Sequence, residues 1–374
     1  MNSKYINLSN NNLRSYLFDG VFSRTNNIDG PFFYQFIRLN YFIKAFYAKF
    51  LVIKKIPNFL NEDKVYNTEV LIIGHHYALD FASLEKHKNI TIVGFINEYE
   101  LAKEKKWGFI NAGEIFINLG MMSWKKEITN IKLTNSLTRF EKLIIKCTNI
   151  KKVYINADLL PFYRACLLAF AKLKDIEIIC PQHGLYTASR RLGETEGALA
   201  DVNICFDETQ REFLIKSGIS PDTIIINDYK LIDKKSYNPK LINKKDVLIV
   251  SEGYHILLGF ATYKYYLYLI KLWRFCKKNG YNPILRPHPS EKILFKLLFF
   301  FKKDKLSLID SINKYDVFIA CSSSVLRQVK NHGKISIQMD QDFYNNIIRM
   351  DKVGYANYFC DFSNLLGILQ NLRN

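Results

Sequence analysis

No stretch of the chain reaches the ~18–20 consecutive apolar residues that a membrane-spanning helix needs; the run Leu297–Phe301 is stopped by Lys302 and Lys303. The first residues carry no apolar core of the kind that marks a secretory signal. The expected location is therefore cytoplasmic, peripheral on the inner membrane face at most. Cysteine is sparse and scattered, at 147, 166, 180, 205, 276, 321 and 360, with no CxxC and no metal-ligand spacing. An odd, unpatterned set predicts reduced, mostly buried thiols rather than disulfides or a metal centre. A GxxxxGK[ST] loop is missing, which disfavours a P-loop kinase, and no GxGxxG follows the first strand, which disfavours a dinucleotide oxidoreductase. Neither a basic-aromatic module nor a zinc finger is present, so no nucleic-acid partner is expected.

What is present is a chain of 374 residues, long enough for about two domains. With 23 Tyr and 28 Phe it is too aromatic to be disordered over most of its length. Lys and Arg outnumber Asp and Glu by 53 to 35, a formal charge of +18. Some partner is therefore negative: a nucleic acid, an anionic membrane surface or an anionic substrate. Residues 30–60 interleave Phe, Tyr, Lys and Arg and predict a helix with an apolar stripe and basic flanks that ends before Pro57. Such a helix either packs on a core or rests on anionic lipid.

From Val70 the pattern becomes short apolar runs alternating with helical stretches. Strands are expected at Val70–Gly74, Thr91–Phe95, Glu114–Asn118, Lys152–Ile155, Ile176–Cys180, Val202–Cys205 and Ile224–Ile226. Helices are expected at Leu133–Lys146, Pro161–Lys172 and Glu208–Lys216. Residues 229–245 read as a linker. The alternation then resumes, with strands at Asp246–Val250, Asn282–Arg286, Val317–Ala320 and Ile335–Met339 and helices at Phe260–Lys278, Leu306–Asn313 and Ser324–Asn331. Such alternation means parallel sheets covered on both faces. The expected fold is α/β, two Rossmann-like domains, 1–235 and 236–374, facing a central cleft.

In open α/β sheets ligands bind beyond the carboxyl ends of the strands, so the loops after strands hold the candidates. Gln182-His183-Gly184 follows Ile176–Cys180 and offers an imidazole beside a glycine that permits close approach. Arg286-Pro287-His288-Pro289 follows Asn282–Leu285; its prolines stiffen the turn, and Arg286 offers a bidentate phosphate contact. Cys321-Ser322-Ser323-Ser324 combines hydroxyls with backbone N–H groups at the start of a helix, an anion-binding arrangement. Ser251-Glu252-Gly253 follows the first strand of the second domain, and Asn156-Ala157-Asp158 precedes a helix that Asp158 is suited to cap. Gly74-His75-His76, with Asp80 close behind, would line the acceptor side. Phosphate-type groups gather in the second domain and acid–base candidates in the first, the division of labour of a group transferase.

The Arg286-Pro287-His288-Pro289 turn and the passage from Asp316-Val317 into Ser322–Ser324 resemble the carboxy-terminal half of bacterial GT-B glycosyltransferases. More narrowly, they resemble the enzymes that use CMP-activated ulosonic acids: sialyltransferases, polysialyltransferases and Kdo transferases of capsule and lipopolysaccharide assembly. The resemblance covers roughly residues 150–340. It implies that His288, Pro289 and Ser322 to Ser324 hold the CMP phosphate. In those families a short motif of acidic residues and glycine supplies the base. Gln182-His183-Gly184 stands at the matching place, and the change leaves the base open between His183 and Asp158. The resemblance further implies cytidine over Ser251–Gly253, Glu291 on the ribose, no metal requirement, and a glycan or lipid-linked acceptor at an anionic membrane surface, with residues 30–60 and Lys302–Lys305 as basic contacts. Glycerophosphotransferases that use CDP-glycerol carry a similar Arg-x-His-Pro turn and serine cluster. A basic polyanion-binding module without catalysis is the alternative of another class.

Overall fold

The structure is a computed structural model. It describes residues 65–73, 78–85, 88–94, 96–113, 135, 138, 140–155, 166, 175–182, 184–185, 199–228, 245–252, 261–288, 301–341 and 348–372. The helical segment near 30–60, the strand expected at Glu114–Asn118 and the linker at 229–244 lie outside the described residues, as does the helix at Pro161–Lys172 apart from Cys166.

The chain divides into two compact units. The first comprises Met1–His183 and Ser189–Lys230, the second Gly184–Ala188 and Leu231–Asn374. In the first unit, β1 (Tyr66–Asn67) pairs with β5 (Cys147–Thr148) as a small separate ladder. The main sheet contains β2 (Val70–Ile73), β3 (Ile90–Gly94), β4 (Gly108–Asn111), β6 (Lys152–Ile155), β7 (Glu177–Pro181), β8 (Val202–Cys205) and β9 (Ile224–Ile226). Every residue of β2 and β3 is buried, as continuous apolar runs must be when a parallel sheet is covered on both faces. The strand order is β4-β3-β2-β6-β7-β8-β9 and all pairs are parallel. The order therefore reverses between β2 and β6. Helices α1 (Ala78–Ser83), α2 (Ile96–Lys105) and α3 (Glu208–Lys216) follow strands. Phe81 of α1 and Ala102 of α2 join Ile72, Ile92 and Tyr154 in one core cluster.

The second unit is a sheet of β10 (Asp246–Val250), β11 (Asn282–Arg286), β12 (Val317–Ala320), β13 (Ile335–Met339) and β14 (Tyr358–Cys360). Its order is β11-β10-β12-β13-β14, again parallel throughout, with the reversal between β10 and β12. Successive residues of a strand face opposite ways, and β10 shows the consequence. Val247 and Ile249 pack with Leu269, Leu272 and Cys276 of α4 (Ala261–Lys278) and with Leu365 and Leu369 of α7 (Phe362–Asn371). Leu248 and Val250 pack instead with Ile312 of α5 (Leu308–Lys314) and with Leu326 and Val329 of α6 (Val325–Asn331). Leu185, from the short Gly184–Ala188 segment, packs on this second cluster.

All seven cysteines are buried thiols. Burial pushes Cys205 up to about 11 and Cys276 and Cys360 up to about 12. Because the thiolate is the reactive form, a disulfide-exchange reagent near neutral pH is expected to label the native protein slowly and all seven sites once it is unfolded. Fast stoichiometric labelling of the native protein would contradict this burial.

Candidate functional site

The reversal between β10 and β12 is the place where a sheet of this order accepts ligands, outside the carboxyl ends of its strands. Ser251 and Glu252 follow β10, and Cys321 to Ser324 follow β12. Glu252 joins the two loops. Its Oε1 accepts from the backbone N–H groups of Cys321 at 2.6 Å and Ser322 at 2.5 Å, and its Oε2 accepts from the Ser322 hydroxyl at 3.1 Å. Behind it, the Glu252 N–H donates to the hydroxyl of Tyr265 at 2.8 Å, and the Ser251 hydroxyl shares a hydrogen bond with the same oxygen at 3.0 Å. Tyr265 is fully buried on α4. The result is a continuous link from α4 through the β10 loop to the β12 loop.

This arrangement corrects part of the sequence reading. The first two N–H groups of the serine loop hold the protein's own carboxylate rather than a phosphate, and Ser251 and Ser322 are buried. Glu252 is therefore a clamp on the loop. Among the described residues the N–H groups of Ser323 and Ser324 make no hydrogen bond, and the Ser324 side chain caps nothing. The Ser323 hydroxyl accepts from Val325 N–H at 3.3 Å. These two N–H groups and the Ser324 hydroxyl are what the loop can offer an anion. Cys321 is no nucleophile: burial, then the neighbouring Glu252 charge, holds its thiol well above the ordinary range.

Arg286 also has partners within the protein. Its Nη1 donates to Asp304 Oδ2 at 2.6 Å, to the Ser311 hydroxyl at 2.9 Å and to the Leu306 carbonyl at 3.0 Å. With the Asp304 side chain 1% exposed, Nη1 of the guanidinium ties the end of β11 to α5. His288, two residues further, is exposed.

Gln182 shows the same kind of departure. It is 1% exposed; its amide nitrogen donates to Gln210 Oε1 at 2.5 Å and its Oε1 accepts from Phe206 N–H at 3.0 Å. It locks β7 to β8 and α3. Gly184 has open space where a Cβ would sit, so no close approach demands glycine there. Asp80 lies in the first turn of α1. Gly74, His75, His76, Asp158, His183, Gly253, Pro289 and Glu291 lie outside the described residues. In the first unit, the strands at the reversal, β2 and β6, run directly into the segments that hold His75, His76 and Asp158. Sequence reasoning missed Tyr265, Asp304 and Ser311; the only available signal was that a buried acid must find a partner.

No protein-family model and no curated protein matches the sequence. Solved structures do. The UDP-GlcNAc 2-epimerase of Methanocaldococcus jannaschii, in complex with UDP-GlcNAc and UDP, superposes with a TM-score of 0.54 at 14% identity, over 82% of this chain and 92% of that one. A co-structure of S. aureus MnaA with UDP gives 0.50 at 12% identity, over 83% of this chain and 88% of the other. At such identities the likeness is one of fold, and the fold is GT-B type α/β with two Rossmann-like domains. It does not single out the CMP-sugar group.

Proposed function

We propose that the chain is a nucleotide-sugar-dependent glycosyltransferase whose second unit binds the donor at the loops after β10 and β12. The observation that carries this reading is the pair of unbonded N–H groups at Ser323 and Ser324, held at the strand-order reversal by the Glu252 clamp. Such N–H groups suit a phosphate oxygen. Two proteins of this fold carry UDP or a UDP-sugar, which favours a uridine diphosphate donor over the CMP donor that the sequence resemblance implied. The departing phosphate would be met by these N–H groups and by His288, with no metal ion needed, and the acceptor hydroxyl would be activated by His183 or Asp158. Transfer of an acidic sugar to a glycan at an anionic membrane surface is the finer form of the same proposal.

Thermal stability measured with UDP, CDP, CMP, GDP and AMP in turn tests it. A nucleotide at ~100 times its Kd adds about 2.7 kcal/mol. UDP is expected to stabilise most, and a CMP preference would return the donor to the ulosonic-acid class. Silence toward every nucleotide would remove the reading. His288→Ala is expected to slow transfer by ~10²–10⁴-fold, the usual contribution of a positioned acid or base, and to reduce nucleotide-induced stabilisation.

A further inference from the structure

Among the described residues, no carboxylate pairs with the cations on the outer face of α4. Lys264, Leu267, Lys271, Arg274 and Lys278 are all exposed and follow one another at helical spacing, a stripe about 21 Å long at 1.5 Å per residue. Lys277 lies beside it, and the helix contains no acidic residue. Among the described residues none of these five cations makes an ion pair, whereas Lys151, Lys152, Arg211, Lys216 and Arg349 each find a carboxylate. Lys277 and Lys278 have a local reason to be there, since cations in a last turn complement the helix dipole. Lys264 and Arg274 have no such reason. Like charges three or four residues apart, such as Lys271 with Arg274 and Arg274 with Lys278, destabilise a helix.

The surroundings extend the charge. The Phe301 ring meets Trp273 edge-on at 5.5 Å, which brings exposed Lys302 beside α4. Lys271 lies over the Phe362 ring at 4.6 Å; the acid next to that ring, Asp361, is engaged in capping α7. Within the stripe, between Lys264 and Lys271, stands Leu267, 58% exposed. A phosphodiester backbone would gain nothing from a leucine there, whereas the boundary between lipid headgroups and acyl chains would.

We propose that this face of α4 is the surface by which the protein adsorbs to an anionic phospholipid membrane. The inference stands apart from the nucleotide reading, because none of these residues belongs to the loops after β10 and β12. A basic residue near an anionic surface raises partitioning about fivefold. The full chain should sediment with vesicles of an equal mixture of phosphatidylglycerol and phosphatidylcholine and not with phosphatidylcholine alone. The triple variant Lys264→Gln, Arg274→Gln, Lys278→Gln should bind the mixed vesicles roughly 100-fold more weakly, with its thermal unfolding unchanged as proof of folding. Leu267→Asn should weaken vesicle binding several-fold while leaving binding to heparin as it was. Wild-type sedimentation by the triple variant would overturn the proposal. So would a Leu267→Asn protein that binds vesicles and heparin as before, since that marks a general polyanion surface.

Discussion

Asp304→Ala is expected to lower stability by about 3–5 kcal/mol, the loss usually seen when one partner of a buried ion pair is removed. The reason is the isolation of the Arg286 guanidinium. Its side chain is 19% exposed, and without the carboxylate it would keep only the Ser311 hydroxyl and the Leu306 carbonyl as acceptors. The Ser311 hydroxyl, which donates to Asp304 Oδ2 at 2.5 Å, would keep only the Ser307 carbonyl at 2.9 Å as an acceptor. At ~2–4 °C per kcal/mol for a unit of this size, a melting point roughly 10 °C lower should follow. Replacing both partners together, Arg286→Met with Asp304→Leu, should recover most of the loss, since apolar residues need no counter-charge. Denaturant titrations of the single and double variants give the coupling directly. A double variant as unstable as Asp304→Ala would show that packing, and not unpaired charge, sets the effect.

Glu252 should respond in opposite directions to two substitutions. Glu252→Ala leaves the Cys321 and Ser322 N–H groups without their acceptor, which costs about 2–4 kcal/mol. The loop they belong to would then no longer be preset, and UDP binding should weaken. Glu252→Gln keeps an amide oxygen for the same two N–H groups. Hydrogen bonds to a charged acceptor are roughly twice as strong as neutral ones, so the loss here should be only about 1 kcal/mol. With the carboxylate charge gone from beside Ser323 and Ser324, a diphosphate should bind more tightly, on the order of tenfold. Calorimetric titration of both variants with UDP checks the pair of signs. Equal weakening by both would mean that the charge itself, rather than the loop position, supports the ligand.

Of the residues in those two expectations, Glu252 and Arg286 were singled out from the sequence, and Asp304 was not. β10, β11, β12 and β13 are short segments rich in Ile, Leu and Val between polar loops, and their observed bounds coincide with the expected ones. The strand-end loops were therefore identifiable in advance. β14 was not: at three residues it has no period to read, and α7, which follows it directly, was missed with it. β4, four residues opened by Gly108 at a sheet edge, was missed for the same reason.

The roles of site residues escaped for a different cause. Glu252 reaches its partners across 69 and 70 positions of sequence, through the parallel register of β10 on β12. Arg286 meets Asp304 because a bridge between Leu285 and Lys303 brings the chain back alongside β11. Gln182 meets Gln210 through the pairing of β7 with β8. In each case local chemistry announces a polar group at a strand end, and only the tertiary register decides whether it faces ligand or scaffold.

The excursion of Gly184–Ala188 into the second unit bears on how the chain comes to be folded during synthesis. The polypeptide crosses between the units three times, after His183, Ala188 and Lys230. When the first unit has left the ribosome, Leu185 is already made but the cluster it covers, around Leu248 and Leu326, has yet to be translated. At ~5–20 residues per second, that wait lasts on the order of ten seconds. For the same reason the fragment Leu231–Asn374, produced alone, would emerge with part of this apolar cluster uncovered, and a short peptide spanning Leu185 would be the piece that covers it.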